Sequence, residues 1–306
     1  PLNPDSTSSG CGTYNVQTVR YCDISNVPNG IFGAHVGHHN HVHHIRGSQD
    51  PATHENAFWC YAGTGSGAAR IYNNVVHDVP YGSGGIYPVI AWGGSSGTIY
   101  LYNNIIFDHG SGSIHVDPSG SSSSSVMKVY VFNNILRSVI TTPRSASPAY
   151  HTFQIKNNLF IGATGDGISI YREAETGDKQ IANNAYLTFA EAEFRGLTRA
   201  ARFKPDQPVD VLTDKGLDLA TVFDHDFGDA TRPQGSAWDI GAYEYTTIGI
   251  INPEYPMSNA QHPISNERLQ QGIYDLTGRK ITGTRNGSGI YMISTGNELR
   301  KAFIIK

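Results

Sequence analysis

The sequence predicts an all-β solenoid, and three observations carry that prediction. A short motif built on paired asparagines recurs along the chain, strand-like runs of inward and outward residues lie between the pairs, and the composition is rich in glycine and poor in charge. With 34 glycines, 10% aromatic residues and only 16% charged residues, the chain lacks the charge content of a salt-bridged helical protein.

The repeat comes first, because internal periodicity decides the architecture. Five segments share an aliphatic residue, a spacer, two asparagines and two mostly apolar residues: Ile71 to Val76, Leu101 to Ile106, Val131 to Leu136, Ile155 to Phe160 and Ile181 to Tyr186. The first asparagines, Asn73, Asn103, Asn133, Asn157 and Asn183, follow one another after 30, 30, 24 and 26 residues. If each repeat is one coil, the aliphatic residue points into a shared core and an asparagine takes the bend, where it tolerates a left-handed backbone. One amide of each pair then stacks into a ladder along the axis, satisfying polar groups that the bend would otherwise bury unpaired. Second strand candidates follow at 85–90, 113–117 and 167–171, and less regular early coils are read at 19–26 and 38–42.

On these Asn-Asn repeats the chain resembles the right-handed parallel β-helix repeat proteins, over roughly residues 14 to 190. That resemblance implies the fold and leaves the activity open, since the family spans pectate-lyase-like and alginate-lyase-like enzymes, glycoside hydrolases and non-catalytic surface proteins. The string Ala237 to Tyr245 looks like the closing segment of secreted proteins of this type, and its expected role is to cover the open end of the solenoid.

Composition changes after Tyr245, where Pro253, Pro256 and Pro263 sit in a polar stretch. Then Gly272-Ile273-Tyr274-Asp275-Leu276-Thr277-Gly278-Arg279, Gly289-Ile290-Tyr291 and the basic apolar end Arg300 to Lys306 read as three short alternating strands of a small β-sandwich-like module. These elements resemble the C-terminal sorting domain of the type IX secretion system. The resemblance implies a Gram-negative source, export across the outer membrane and a secreted or cell-surface location. The expected organisation is a β-helix domain at 1–245, a linker at 246–264 and a sorting module at 265–306 that engages the type IX secretion machinery.

The formal charge of -4 is too balanced for electrostatic capture of nucleic acid, and no apolar run is long enough for a transmembrane helix. The chain begins at Pro1 with no leader, so a signal peptide is expected to have been removed or to lie upstream. Cys11 and Cys22 either close a short loop as a disulfide or, with Cys60, serve as small buried apolar residues.

Seven histidines fall between His35 and His54. On an alternating strand His39, His41 and His43 share a face that could converge on a transition metal, with Asp50 and Glu55 nearby. The competing reading, solvent-facing or ladder histidines on irregular coils, is preferred, and no metal ligand is assigned.

The resemblance places a polysaccharide groove on the outer face of the second strand set. Alternation sets Tyr87, His115, Asp117, Ser169 and Tyr171 outward there, with Trp59, Tyr61 and Trp92 near the strand ends. Trp59, Tyr61, Tyr87 and Trp92 are the expected substrate-binding aromatics. Asp117, His115, Tyr171, Arg172 and Glu173 are the catalytic candidates. Hydrolysis would pair Asp117 with Glu55 or Glu173; β-elimination would use Tyr171 or His115 as base with Arg172 or a bound Ca2+. The expected function is a secreted β-helix protein that binds polysaccharide and cleaves it as a lyase or hydrolase, the alternative being a non-catalytic adhesin or structural β-helix.

Overall fold

The computed structural model describes residues 11–14, 16–45, 56–61, 67–79, 87–92, 97–110, 112–117, 127–141, 152–170 and 178–246, together with strands within 272–304. The chain divides into two units, residues 1–253 and 254–306.

The first unit is a parallel β-solenoid in which each coil contributes three strands. The first two coils hold β1 (Cys11–Tyr14), β2 (Thr18–Arg20), β3 (Asp23–Ser25), β4 (Asn29–Ala34), β5 (Val36–His38) and β6 (His41–His43). The next two hold β7 (Asn56–Tyr61), β8 (Ala69–Tyr72), β9 (Val75–His77), β10 (Tyr87–Trp92), β11 (Gly97–Tyr102) and β12 (Ile105–Ile106). The last three hold β13 (Ile114–Asp117), β14 (Met127–Phe132), β15 (Ile135–Leu136), β16 (Val139–Thr141), β17 (Thr152–Lys156), β18 (Leu159–Ile161), β19 (Ile168–Ser169), β20 (Asp178–Ala182) and β21 (Ala185–Leu187). Every third strand pairs, giving three seven-stranded parallel sheets that begin at β1, β2 and β3; they are called A, B and C below.

The bend between sheets B and C is the asparagine corner. The first asparagine of each pair is left-handed, with φ between 50° and 57° from Asn73 to Asn183, and Tyr21 and His39 take the same conformation in the first two coils. The second asparagine turns inward. Asn40, Asn74, Asn104, Asn134, Asn158 and Asn184 form one ladder in which each Nδ2 donates to the Oδ1 of the next coil at 2.9–3.0 Å. The same Oδ1 accepts the preceding coil's backbone N–H at that position. All of these amides except Asn184 are buried. The aliphatic residue ahead of each pair fills the interior as expected at Ile71, Leu101, Val131 and Ile155, none of which is exposed. Ile181 departs from this at 37% exposure, because no further coil among the described residues covers it. Cys60 also lies in the core, where burial pushes its thiol up to about 12. Cys22 is half-buried, and the side chain of Cys11 is outside the described residues.

Residues 188–246 do not cap the solenoid end, as Ile181 and Tyr186 stay exposed there. They run back along the asparagine corner and over the outer face of sheet C. The segment opens with a short helix, α1 (Phe189–Phe194), started by a capping box between Thr188 and Glu191 that the sequence reading missed. The first asparagines then hold it coil by coil: Asn103 donates to the His225 carbonyl, Asn133 to Asp239 and Gly241, Asn157 to Leu217 and Asn183 to Lys215. Gly241, at φ 97°, donates to the Asn157 carbonyl, and a Cβ there would stand 3.4 Å from Leu159. A buried ion network locks this contact. Arg232 pairs with Glu244, both fully buried, and also donates to Asn103 Oδ1 at 3.3 Å and the Gly241 carbonyl at 3.0 Å.

In the second unit Gly272–Tyr274, Gly289–Ser294 and Leu299–Ile304 form a three-stranded antiparallel sheet, β22 to β24, on the three predicted strand motifs. The remainder of the expected linker and sandwich-like module beyond residue 246 lies outside the described residues.

Mutating the middle of the ladder should cost more than mutating its end. Asn134→Ala orphans buried partners in both neighbouring coils and should lower unfolding free energy by about 2–3 kcal/mol, against about 1 kcal/mol for half-buried Asn184→Ala. Urea denaturation measures both, and equal losses would contradict a cooperative ladder.

Candidate functional site

The sequence-predicted residues on sheet A fall into defined rows. Phe32, Trp59, Ile90, His115, Ile140 and Ser169 occupy successive strands in register, while Ile31, Phe58, Val89 and Ile114 form the adjacent interior row. Tyr61, Trp92 and Asp117 make a second row, so five named residues gather on three neighbouring strands. Tyr87 pairs with Asn56 and lies in neither row. Trp59 is half-buried with its ring 4.9 Å from Phe32, Ser169 is exposed, and His115 is 3% exposed, buried beneath the surface of this face. The side chains of Tyr61, Tyr87, Trp92 and Asp117, and all of Tyr171, Arg172, Glu173, Asp50 and Glu55, lie outside the described residues.

The described titratable groups converge on sheet C instead. Its strands alternate so that Ile24, Val42, Val76 and Ile106 point into the core, leaving their neighbours on the outer face. One outer row reads Asp23, His41, Val75, Ile105, Ile135, Leu159 and Ala185; the other begins Ser25, His43 and His77. From Val75 to Ala185 the first row is apolar and buried, and Phe203, Leu212, Ile240 and Tyr243 of the C-terminal segment lie over Ile135 and Leu159. The first coils carry polar side chains at the same positions, so this sheet face changes from apolar to histidine-rich along its length.

His41, His43 and His77 therefore meet, each offering a nitrogen within 4.8 Å of the others. His41 and His43 rings stack at 4.1 Å and His43 and His77 at 5.3 Å. His41 Nδ1 lies 3.3 Å from Asp23 Oδ2, His43 Nε2 2.9 Å from Asp23 Oδ1, and His77 Nδ1 2.8 Å from Asp78 Oδ2. The Nε2 atoms of His41 and His77 face each other at 2.7 Å. Burial, reinforced by the neighbouring His43 and His77, lowers His41 to about 4 against the opposing pull of Asp23; burial also lowers His77.

His39, expected beside His41 and His43, is elsewhere. It occupies the left-handed corner position that asparagine takes in later coils, which breaks the period-two alternation. Its ring stacks on Tyr21 at 5.0 Å and reaches toward Asp229 at 3.9 Å. His77 takes its place in the cluster. The sequence held that signal, because His77 follows the ladder residue Asn74 at the same offset as His43 follows Asn40.

Beside the cluster, at the corner from sheet C to sheet A, Asn26, His44, Asp78 and Asp108 are all left-handed, with φ from 47° to 58°. They line an open groove of about 730 Å3 together with Ile45, Val79, His109 and Gly110. Arg199 donates to Asp108 at 2.9 Å, His44 lies 3.6 Å from Asp78, and His109 Nε2 lies 2.8 Å from Ser113 Oγ.

Fold and site together define a parallel β-solenoid with a histidine cluster and a polar corner groove at one end of sheet C. Set against protein-family models, curated proteins and solved structures, the chain matches none.

The histidines give stability a pH dependence of definite sign. His38, lowered to about 4 by burial and then by His39 and Arg20, behaves like His41. Between the ordinary histidine value of 6.5 and about 4 the unfolded chain binds protons at these sites that the folded chain does not, so stability falls as pH falls through that window and levels off below it. Burial raises Asp226, Asp239 and Glu244, which act in the opposite sense at the acid end. Urea midpoints measured in chelator from pH 7 to 4 should therefore decline less steeply in His41→Gln than in the parent chain, and parallel curves would show that His41 stays accessible to protons.

Proposed function

We propose that this protein is a secreted, extracellular β-helix protein that binds polysaccharide, and that the glycan chain lies in the corner groove lined by Asn26, His44, Asp78 and Asp108. The observation that carries this reading is the groove itself, about 730 Å3 in volume and polar at a repeat of one coil. Successive coils of a parallel solenoid are about 4.8 Å apart, close to the length of one sugar unit, so a linear glycan can present an equivalent hydroxyl edge to each corner side chain. Asp, Asn and His supply the acceptors and donors such an edge needs. The sheet A face supports the reading less well, because His115 is buried.

Binding fits this groove better than hydrolysis does. A hydrolase needs two carboxylates free to act across the scissile bond. Here Asp108 is engaged by Arg199 and Asp78 by His77. Export through the type IX machinery by way of residues 265–306 is part of the same proposal, supported by the three strand motifs of the tail.

Incubating the full chain with plant, algal and host polysaccharides should show retention on at least one of them, with neither unsaturated-uronate absorbance nor new reducing ends. Asp108→Asn and His109→Ala should weaken that retention several-fold. No retention on any glycan, or retention indifferent to both substitutions, would overturn the groove assignment. Separately, deleting residues 272–306 should leave the protein in the periplasm, and normal export of the truncation would refute the sorting role.

A further inference from the structure

We propose that His41, His43 and His77 form a binding site for a divalent d-block cation of the zinc class. The proposal is independent of whether the neighbouring groove takes a glycan.

The argument starts from the two carboxylates behind the rings. Asp23 Oδ2 stands 3.3 Å from His41 Nδ1, and Asp78 Oδ2 stands 2.8 Å from His77 Nδ1. An ionised carboxylate only accepts hydrogen bonds, so each contact places the imidazole proton on Nδ1. A neutral ring with its proton on Nδ1 carries a bare lone pair on Nε2. Those two Nε2 atoms are the pair that face each other at 2.7 Å. Two lone pairs at that separation repel unless a cation lies between or in front of them.

A proton shared between the two Nε2 atoms would relieve that repulsion, at the expense of a second N–H on one of the rings. A metal ion meets the requirement without protonating either ring. A carboxylate on Nδ1 with Nε2 left to the ion is the arrangement that orients metal-bound histidines and raises their basicity. His43 is the third imidazole within reach; its Nε2 meets Asp23 Oδ1 at 2.9 Å, so on the same reasoning Asp23 orients it and its Nδ1, 2.5 Å from His44 Nδ1, carries the lone pair. Nitrogens sharing one tetrahedral zinc lie about 3.3 Å apart, so His41 and His77 need only a small outward swing. Three imidazoles with a carboxylate suit a borderline cation better than calcium or magnesium, which take oxygen ligands. The side chains of His41, His43 and His77 are 14%, 16% and 18% exposed, which leaves the ion a path from solvent.

The test uses the full chain freed of metal by chelator and titrated with Zn2+ alone. Calorimetry should show one equivalent bound, and nitrogen-detected imidazole spectra of the parent chain should show the Nε2 resonances of His41 and His77 moving together on titration. His41→Gln and His77→Gln should each weaken binding by more than about tenfold, and Asp23→Asn by about 10- to 100-fold. His225→Gln, away from the cluster, should leave it unchanged. No binding below millimolar zinc, or a proton shared between the two Nε2 atoms that zinc does not displace, would overturn the proposal. The parent-chain spectra decide the matter even if a variant fails to fold.

Discussion

One inward amide per coil, from Asn40 to Asn184, fixes the geometry on which everything else in the solenoid depends. A bend inside a protein exposes backbone N–H and carbonyl groups to an interior where each unpaired one costs about 1–3 kcal/mol. The second asparagine of each pair meets that demand twice over. Its Oδ1 takes both the backbone N–H and the side-chain amide of the coil before, while its Nδ2 reaches the carbonyls lining the bend, as Asn134 does with Leu101 and Phe132. Because the amide must stack on its neighbour, coils cannot slip in register by one residue without breaking the ladder. Register in turn decides which side chains share a row, so the ladder indirectly places every surface group on sheets B and C.

The first asparagine of the pair serves a different end. Its left-handed backbone turns the chain, and its outward amide becomes the anchor for residues 188–246. This explains why the segment follows the corner instead of closing the solenoid end: its exposed carbonyls find donors there, at one per coil. Arg232 completes the attachment. Its guanidinium is fully buried and faces Glu244, with Asp226 and Asp239 in the same network, and their oxygens are met by backbone N–H groups of Gly228, Ala230, Asp214, Tyr245 and Glu244. A buried charge network of this kind is costly, and Arg232 Nε is left without a hydrogen-bond partner in it, so the pairings that offset the cost hold only with the segment in one place.

Legibility in the sequence follows the same division. The coils, the ladder and the interior aliphatics were readable, because Asn-Asn with matched flanks has few other physical uses and Ile71, Leu101, Val131 and Ile155 repeat in phase with it. The path of residues 188–246 was not, since hydrogen bonds from a corner amide to distant carbonyls leave no period in the chain. Among the histidines, His41 and His43 were grouped correctly by alternation, but the same rule misplaced His39, which belongs to the bend. His77 lies 34 residues beyond His43 and becomes its neighbour only once the ladder aligns the coils. The face chosen for carbohydrate contact rested on alternation in sheet A, which places His115 and Ser169 in one row yet is blind to what covers it.

The outer face of sheet C shows a local rule being broken for a reason that packing does not supply. Positions filled by Val75, Ile105, Ile135 and Leu159 hold Asp23 and His41 in the first two coils, and the neighbouring row holds His43 and His77. Burial lowers His41 and His77, so these two weaken the fold on acidification, and aliphatic residues in their places would remove that weakness. Such a conflict between stability and residue choice is what a functional site produces. The covering segment packs on the apolar rows and Phe203 meets Phe107, whose ring stacks on His77 at 4.9 Å. An aromatic wall thus borders the cluster on the side of the later coils, while the described side chains leave it open toward solvent. The imidazoles are held in place by ladder register on one side and carboxylates on the other, so the arrangement is preorganised for something that lies between them.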